Sequence, residues 1–205
     1  MWELFQKGGP VMYPLLVCSI TGLYIIIQKL LFLKLNDVTP DTAAETIKDQ
    51  LLTYGKEETM RVLRAKRKAP LRMAASAIKL SSLPVEEWES AMGQASAFEI
   101  QKMEKNLSIL SGLITICPML GLLGTMIGFI GIFHVIGGGG IGNTAALSIG
   151  ISEKLITTAS ALSLTIPFII GFHFVSYRVD VLISKAEFLT NDIAQFCKEN
   201  AAKLS

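Results

Sequence analysis

Between Lys105 and Glu153 the sequence carries no Asp, Glu, Lys or Arg, a charge-free window of 47 residues. An apolar helix crosses a hydrocarbon core of about 30 Å in roughly 20 residues. The window is therefore too long for one ordinary crossing. The run Gly137-Gly138-Gly139-Gly140 breaks it near its end, and a second charge-free window, Leu155 to Tyr177, follows almost at once. In lipid only a helix or a closed barrel satisfies its own backbone. The pattern predicts a helical hairpin: a helix in, a short Gly-rich turn, a helix back. A third apolar segment spans residues 11–35, interrupted by Gln28, Lys29 and Lys34. The stretch before it, Met1 to Lys7, lacks a strongly basic region, and no A-x-A site ends the apolar run. It reads as a retained membrane helix rather than a cleaved signal peptide.

The rest of the composition narrows the function classes. A net charge of +2 gives no strong attraction to nucleic acid. Cys18 and Cys117 lie in apolar segments and Cys197 in the tail, without metal or redox spacing. There is no P-loop, nucleophile elbow, HExxH or Cys/His cluster, so nothing supports an enzyme, a cofactor or a metal site. His134 and His173 read as interfacial side chains.

Lys and Arg sort by loop. Segment 36–106 holds 11 of them, the turn 137–150 none, and the tail 178–205 four. The positive-inside rule then places the N-terminus and the Gly-rich turn outside, and the long loop and tail in the cytoplasm. Lys29 and Lys34, near the inner end of the first helix, are expected to snorkel to the headgroups.

Within the long loop, Thr39-Pro40-Asp41 reads as a helix start, as does Ser82 with Pro84 followed by Glu86, Glu87 and Glu89. The basic run Arg64-Ala65-Lys66-Arg67-Lys68 is either a solvated helix face or a contact for anionic headgroups. No strong breaker separates Pro84 from Pro118. The second membrane helix is therefore expected to run unbroken from about Val85 to Ile136, a rod of roughly 75 Å at 1.5 Å per residue. The third is expected from about Ser152 to Ala202. A seam supports it. Thr158, Ala161, Thr165, Phe168, Phe172, Val175, Val179, Leu182, Ala186, Leu189, Ile193 and Phe196 alternate three and four apart, the period of packed helices. The seam packs either on this chain's own second helix or around a symmetry axis between subunits.

On the second helix Pro118, Gly121, Gly124, Thr125, Gly128 and Gly131 fall within an arc of about 140°. Such a face admits a close backbone neighbour, and Gly124-x-x-x-Gly128 is its minimal form. Close packing within the chain would explain it. Thr125 lies on that face, and Thr158 and Thr165 lie on the seam. Such hydroxyls either bond their own preceding carbonyls or offer polar groups to a water-filled path or another chain. Glu153 opens the third helix, either as a partner of the helix dipole or as a charge at the mouth of an ion path. No Asp or Glu lies at mid-membrane depth. If protons cross here, the titrating carboxylate comes from a partner.

Three motifs occur in order. They are Gly8-Gly9-Pro10-Val11-Met12-Tyr13-Pro14-Leu15-Leu16, the second-helix run from Pro118 to Gly128, and the run Gly150 to Ala159 followed by Ile166-Pro167. Together they resemble the MotA/TolQ/ExbB proton-channel superfamily, nearest to its ExbB and TolQ branches. Residues 36–83 carry little of the resemblance. The fold it implies is an all-α membrane protein with three transmembrane helices, the second and third extended into the cytoplasm, assembled as a pentameric ring in the bacterial inner membrane. The implied layout is a periplasmic N-terminus (1–10), helix 1 (11–35), a cytoplasmic helical domain (36–106), helix 2 (107–136), a periplasmic Gly-rich turn (137–151), helix 3 (152–177) and a cytoplasmic tail (178–205). Two ExbD- or TolR-like single-span partners would place an Asp in the central pore. The ion-motive force would then drive work on a TonB-like transducer for outer-membrane transport. The TolQ branch serves envelope integrity and the MotA branch motility. By motif match Thr125 and Thr158 would form the polar ring facing the partner Asp, with Thr165 on the same path and Glu153 at the outer mouth. Pro118, Gly121, Gly124 and Gly128 would pack the helices. Lys154 departs from the small residue expected beside that Glu, and Gln28 stands where an acid often closes the first helix.

Overall fold

The computed structural model describes residues 8–66, 68–81, 83–137 and 144–200. Among these residues the secondary structure is helical, with no strand. The elements are α1 (Met12–Asn36), α2 (Pro40–Ala65), α3 (Ala69–Leu80), α4 (Val85–Glu104), α5 (Leu107–Gly137) and α6 (Thr144–Glu199). Three stretches are long and apolar enough to cross a membrane: Met12–Asn36, Leu107–His134 and a part of Gly150–Glu199. The chain divides into two compact units. The first runs to Gln28 and resumes over residues 106–174; the second holds residues 29–105 and the remainder of α6.

In the first unit Met12, Leu15, Cys117 and Ala161 form the buried centre, with Cys18, Leu120 and Leu164 against it. Glycines set the closeness of α1 to α6. The ring of Phe168 fills the space a Cβ on Gly22 would need, and a Cβ on Gly171 would lie 2.8 Å from Ile26 Cδ1. The outward faces are apolar, with Val17, Ile20, Met119, Ile130, Phe133 and Ile170 all exposed. An apolar coat of this extent is a liability in water; here the solvent is lipid.

The second unit is built around α3, whose Met73, Ala74, Ala75 and Ile78 are fully buried. Ile47, Leu51 and Leu63 of α2 and Leu189, Ile193 and Cys197 of α6 pack on one side. Trp88 and Met92 of α4 and Ala194 of α6 gather at Ala77. The helix starts follow the sequence signals: α2 opens at Pro40 and α3 carries Pro70 in its first turn. Asn36 joins two helix ends. Its Oδ1 accepts the Ala69 N–H at 2.8 Å and its Nδ2 donates to the Phe32 carbonyl at 2.9 Å. Gly55, at φ 76°, kinks α2, and the Thr59 hydroxyl donates to the Gly55 carbonyl at 2.8 Å.

Three expectations are corrected. The second helix is not one rod. It breaks after Glu104, where Lys105 turns to ψ 137° and Asn106 takes φ 72°. Asn tolerates the left-handed region better than most residues, and its Nδ2 donates to Gln28 Oε1 at 2.8 Å. Lys29 does not snorkel to the headgroups. It is buried, and its Nζ donates to the Met103 carbonyl at the C-terminal end of α4, where the helix dipole favours a cation. The helix that carries the third span starts earlier than Ser152, at Thr144, although the apolar span within it begins at Gly150. Residues 138–143 of the expected Gly-rich turn, the N-terminal residues 1–7 and the last residues 201–205 lie outside the described residues. The α6 seam is buried within the chain itself, from Ala161 through Val175 to Ile193.

Candidate ion-path site

The small residues of α5 meet α6 in register. A Cβ on Gly121 would lie 2.6 Å from Ala161 Cβ and 3.2 Å from Thr158 Cα. A Cβ on Gly124 would lie 2.6 Å from Thr157 Cγ2, and one on Gly128 would overlap the Lys154 side chain. At Gly121 and Gly124 the neighbours are Cβ, backbone or β-branched atoms, so a larger side chain needs the helices to part, whereas at Gly128 the Lys154 side chain would have to move aside. The contact is thus a ladder, with positions 121, 124 and 128 of one helix against 161, 158, 157 and 154 of the other. The rest of the predicted arc behaves differently: Gly131 has open space within 4 Å of an added Cβ, and Pro118 is half-buried.

The threonines sit on or beside this ladder. Thr125 is buried and its hydroxyl donates to the Leu122 carbonyl at 2.7 Å. Thr165 is buried and donates to the Ala161 carbonyl at 2.7 Å. Both bonds stay within their own helix. Thr158 is half-buried, and its hydroxyl crosses to α5 to donate to the Gly121 carbonyl at 2.9 Å. A threonine hydroxyl has one donor and two acceptor positions, so each oxygen keeps acceptor capacity. Of the three, Thr158 alone combines that capacity with exposed surface. Glu153 lies in α6, and its side chain lies outside the described residues. It is the only Asp or Glu within residues 8–28 and 106–174.

The glycine ladder and the crossing threonine lie on two apolar helices almost without carboxylates. Residues 60–187, more than half of the chain, fit the model of the MotA/TolQ/ExbB proton channel family. This chain belongs to that family. It is 27% identical over 188 residues to an ExbB homolog of Methanothermobacter thermautotrophicus, covering 91% of this chain and 67% of that protein. It is 31% identical over 170 residues to an ExbB-like protein of Synechocystis sp., covering 79% of this chain and 65% of that protein. The Tol-Pal system protein TolQ of Haemophilus influenzae is 30% identical over 92 residues, 45% of this chain and 40% of TolQ. The chain thus spans about two thirds of the length of the first two relatives.

Within this MotA/TolQ/ExbB chain the structure adds a residue that sequence reading missed. Thr157 is fully buried, and its hydroxyl donates to the Gly8 carbonyl at 2.9 Å. It ties the entry of α1 to α6 across 149 positions of sequence. The only sequence signal was the doublet Thr157-Thr158, in which one hydroxyl turns to Gly121 and its neighbour to Gly8.

The second unit adds ion pairs. Glu99 is buried, bonded by Arg72 at 2.7 Å and Lys102 at 2.9 Å. Burial alone would raise its carboxyl. The hydrogen bonds from Lys102 and Arg72, with their charges, outweigh it and hold the group below the ordinary carboxylate range. The hydrogen bond from Lys185, followed by its charge, likewise lowers Asp37, an exposed group.

Proposed function

We propose that this chain is the ring-forming subunit of an ExbB-type motor. Several copies, a pentamer by analogy, surround an ExbD- or TolR-like single-span partner in a bacterial inner membrane. The N-terminus is periplasmic and the tail cytoplasmic. Proton flow past the partner's membrane Asp is converted to mechanical work on a TonB-like transducer. The reading is supported above all by one observation: Thr158, the half-buried hydroxyl that bonds across from α6 to α5, lies on helices that provide no acid at mid-depth. A charged carboxylate is costly in an apolar sleeve and a neutral one is not. A sleeve with acceptor oxygens at one level holds a protonated acid by accepting its O–H, and releases the acid when the proton leaves toward water. The Thr125 and Thr165 oxygens stand deeper in the subunit, and in this reading they secure the helices that present Thr158. Glu153 stands at the outer mouth, beside Lys154.

Replacement of Thr158 tests the reading. Thr158→Val should leave the complex assembled and abolish proton-coupled work, while Thr158→Ser should retain most of it. Wild-type activity in the Val variant would remove Thr158 from the mechanism. Proton flux through the purified chain with its partner separates a motor from a non-conducting scaffold. A TolQ-like role in envelope integrity is the second reading, supported by the similarity to TolQ. Rescue of a strain lacking TolQ, against one lacking ExbB, distinguishes the branches.

A further inference from the structure

A cleft of about 420 Å³ opens in the second unit between α2 and α3. Its walls are apolar: Val38, Ala43, Ile47, Leu63 and Leu71. Thr46, Gln50, Lys66 and Lys68 supply its polar groups, and among the described residues no carboxylate lines it. Val38 stands two residues beyond the end of α1. The 25 residues of α1, at about 1.5 Å each, exceed a hydrocarbon core of about 30 Å. With Met12 at one edge of the core, the last residues of α1 stand among the lipid headgroups at the other. Lys68 is held at that point, because its Nζ donates to the Asp37 carbonyl at 3.1 Å. Asp37, next to Val38, has its carboxylate paired with Lys185 at 2.9 Å, and Asp41, Glu45 and Asp49 are exposed and do not line the cleft. One further group is unusual: Gln50 Oε1 is buried with no hydrogen-bond partner. An orphaned buried acceptor is costly and calls for a donor.

We infer that this cleft holds the headgroup of an anionic phospholipid whose polar end carries free hydroxyls, as in phosphatidylglycerol. Lys66 and Lys68 meet the phosphate. A headgroup hydroxyl donates to Gln50 Oε1 once the amide turns into the cleft. The apolar walls take the glycerol and first methylenes, contacts a free phosphate ion does not use. Basic groups at a membrane surface each add attraction to anionic lipid, but basic groups alone do not choose among anionic lipids. The chain would thus carry a fixed lipid contact at the foot of its first membrane helix. This inference requires only that α1 spans the bilayer and stands apart from the motor reading.

The test uses the full chain, purified in neutral detergent in its assembled state and titrated with phosphatidylglycerol, phosphatidylmethanol (anionic, without a headgroup hydroxyl), phosphatidylcholine or inorganic phosphate. Lipids retained per chain are counted by native mass spectrometry, and the unfolding temperature is followed in parallel. Wild type should retain phosphatidylglycerol over phosphatidylcholine, and millimolar inorganic phosphate should not displace it. Lys66→Glu, on an exposed side chain, should weaken retention roughly five- to tenfold. Ala43→Phe should fill the cleft and abolish the preference, and Gln50→Leu should reduce discrimination against anionic lipids that lack a hydroxyl. Equal retention of the two lipids, or undiminished retention in Lys66→Glu, overturns the proposal. Displacement by inorganic phosphate would mark a phosphate-ion site and overturn the lipid assignment.

Discussion

The Thr158 hydroxyl lies 2.9 Å from the carbonyl oxygen of Gly121 on the neighbouring membrane helix. It can reach that carbonyl because position 121 has no side chain: a Cβ there would sit 3.2 Å from Thr158 Cα. The glycine face and the threonine seam are thus two halves of one contact. Thr125 and Thr165 spend their hydroxyl protons inside their own helices, so of the three only Thr158 bonds across the α5–α6 contact.

Glycine replacements on α5 should divide sharply. Gly121→Ala brings a methyl to 2.6 Å from Ala161 Cβ and should lower stability by about 1–3 kcal/mol, the range for overpacking. Gly131→Ala meets nothing within 4 Å and should be neutral. Unfolding midpoints of the two variants in the same detergent make the comparison; equal midpoints would refute the ladder.

Thr157→Val should free the Gly8 carbonyl while preserving side-chain volume. The expected result is faster amide exchange over the entry of α1, with a stability loss of about 1 kcal/mol, in keeping with interhelical hydrogen bonds in lipid. Hydrogen–deuterium exchange resolved to residues 8–16 measures it.

Stability of the second unit should depend on pH through Glu99. Its folded carboxyl titrates below its unfolded value, so in the acid range between them the unfolded chain binds the extra proton. The contribution is complete above the unfolded carboxylate value of about 4.3 and is lost as pH falls through the folded value. Glu99→Gln should flatten that slope and lower stability near neutral pH. Denaturation midpoints at pH 3, 5 and 7, approximate settings around that carboxylate value, are the measurement.

Asn106 should tolerate Gly and resist β-branched residues. At φ 72° a Val should cost about 1–2 kcal/mol through its backbone alone. Gly relieves the backbone but loses the bond to Gln28. An Asn106→Val protein as stable as wild type would mean that α4 and α5 can join as a continuous helix.

The three membrane helices were legible because lipid imposes a coarse rule, the exclusion of charge over a long window. The seam was legible as a period, but not its cover, since spacing shows which face is buried and not what buries it. The α4–α5 break was invisible because Lys105-Asn106 contains neither Pro nor Gly, and Asn106 reveals its left-handed backbone only once Gln28 is beside it. Lys29 misled for a similar reason. A lysine at a helix end ordinarily reaches for water, and the competing acceptor, the Met103 carbonyl, lies 74 positions away. Pairing of the small face of α5 with α6 rests on Lys154, Thr157, Thr158 and Ala161, whose spacing on α6 matches positions 128, 124 and 121 only in three dimensions.

Asn36 gives the second unit a property that its sequence does not announce. One side chain is bonded both to the last turn of the first membrane helix and to the start of α3. A pull on that membrane helix would reach the innermost helix of the second unit through this amide, beside the Lys68 contact with the Asp37 carbonyl. The joint is therefore a rivet rather than a hinge.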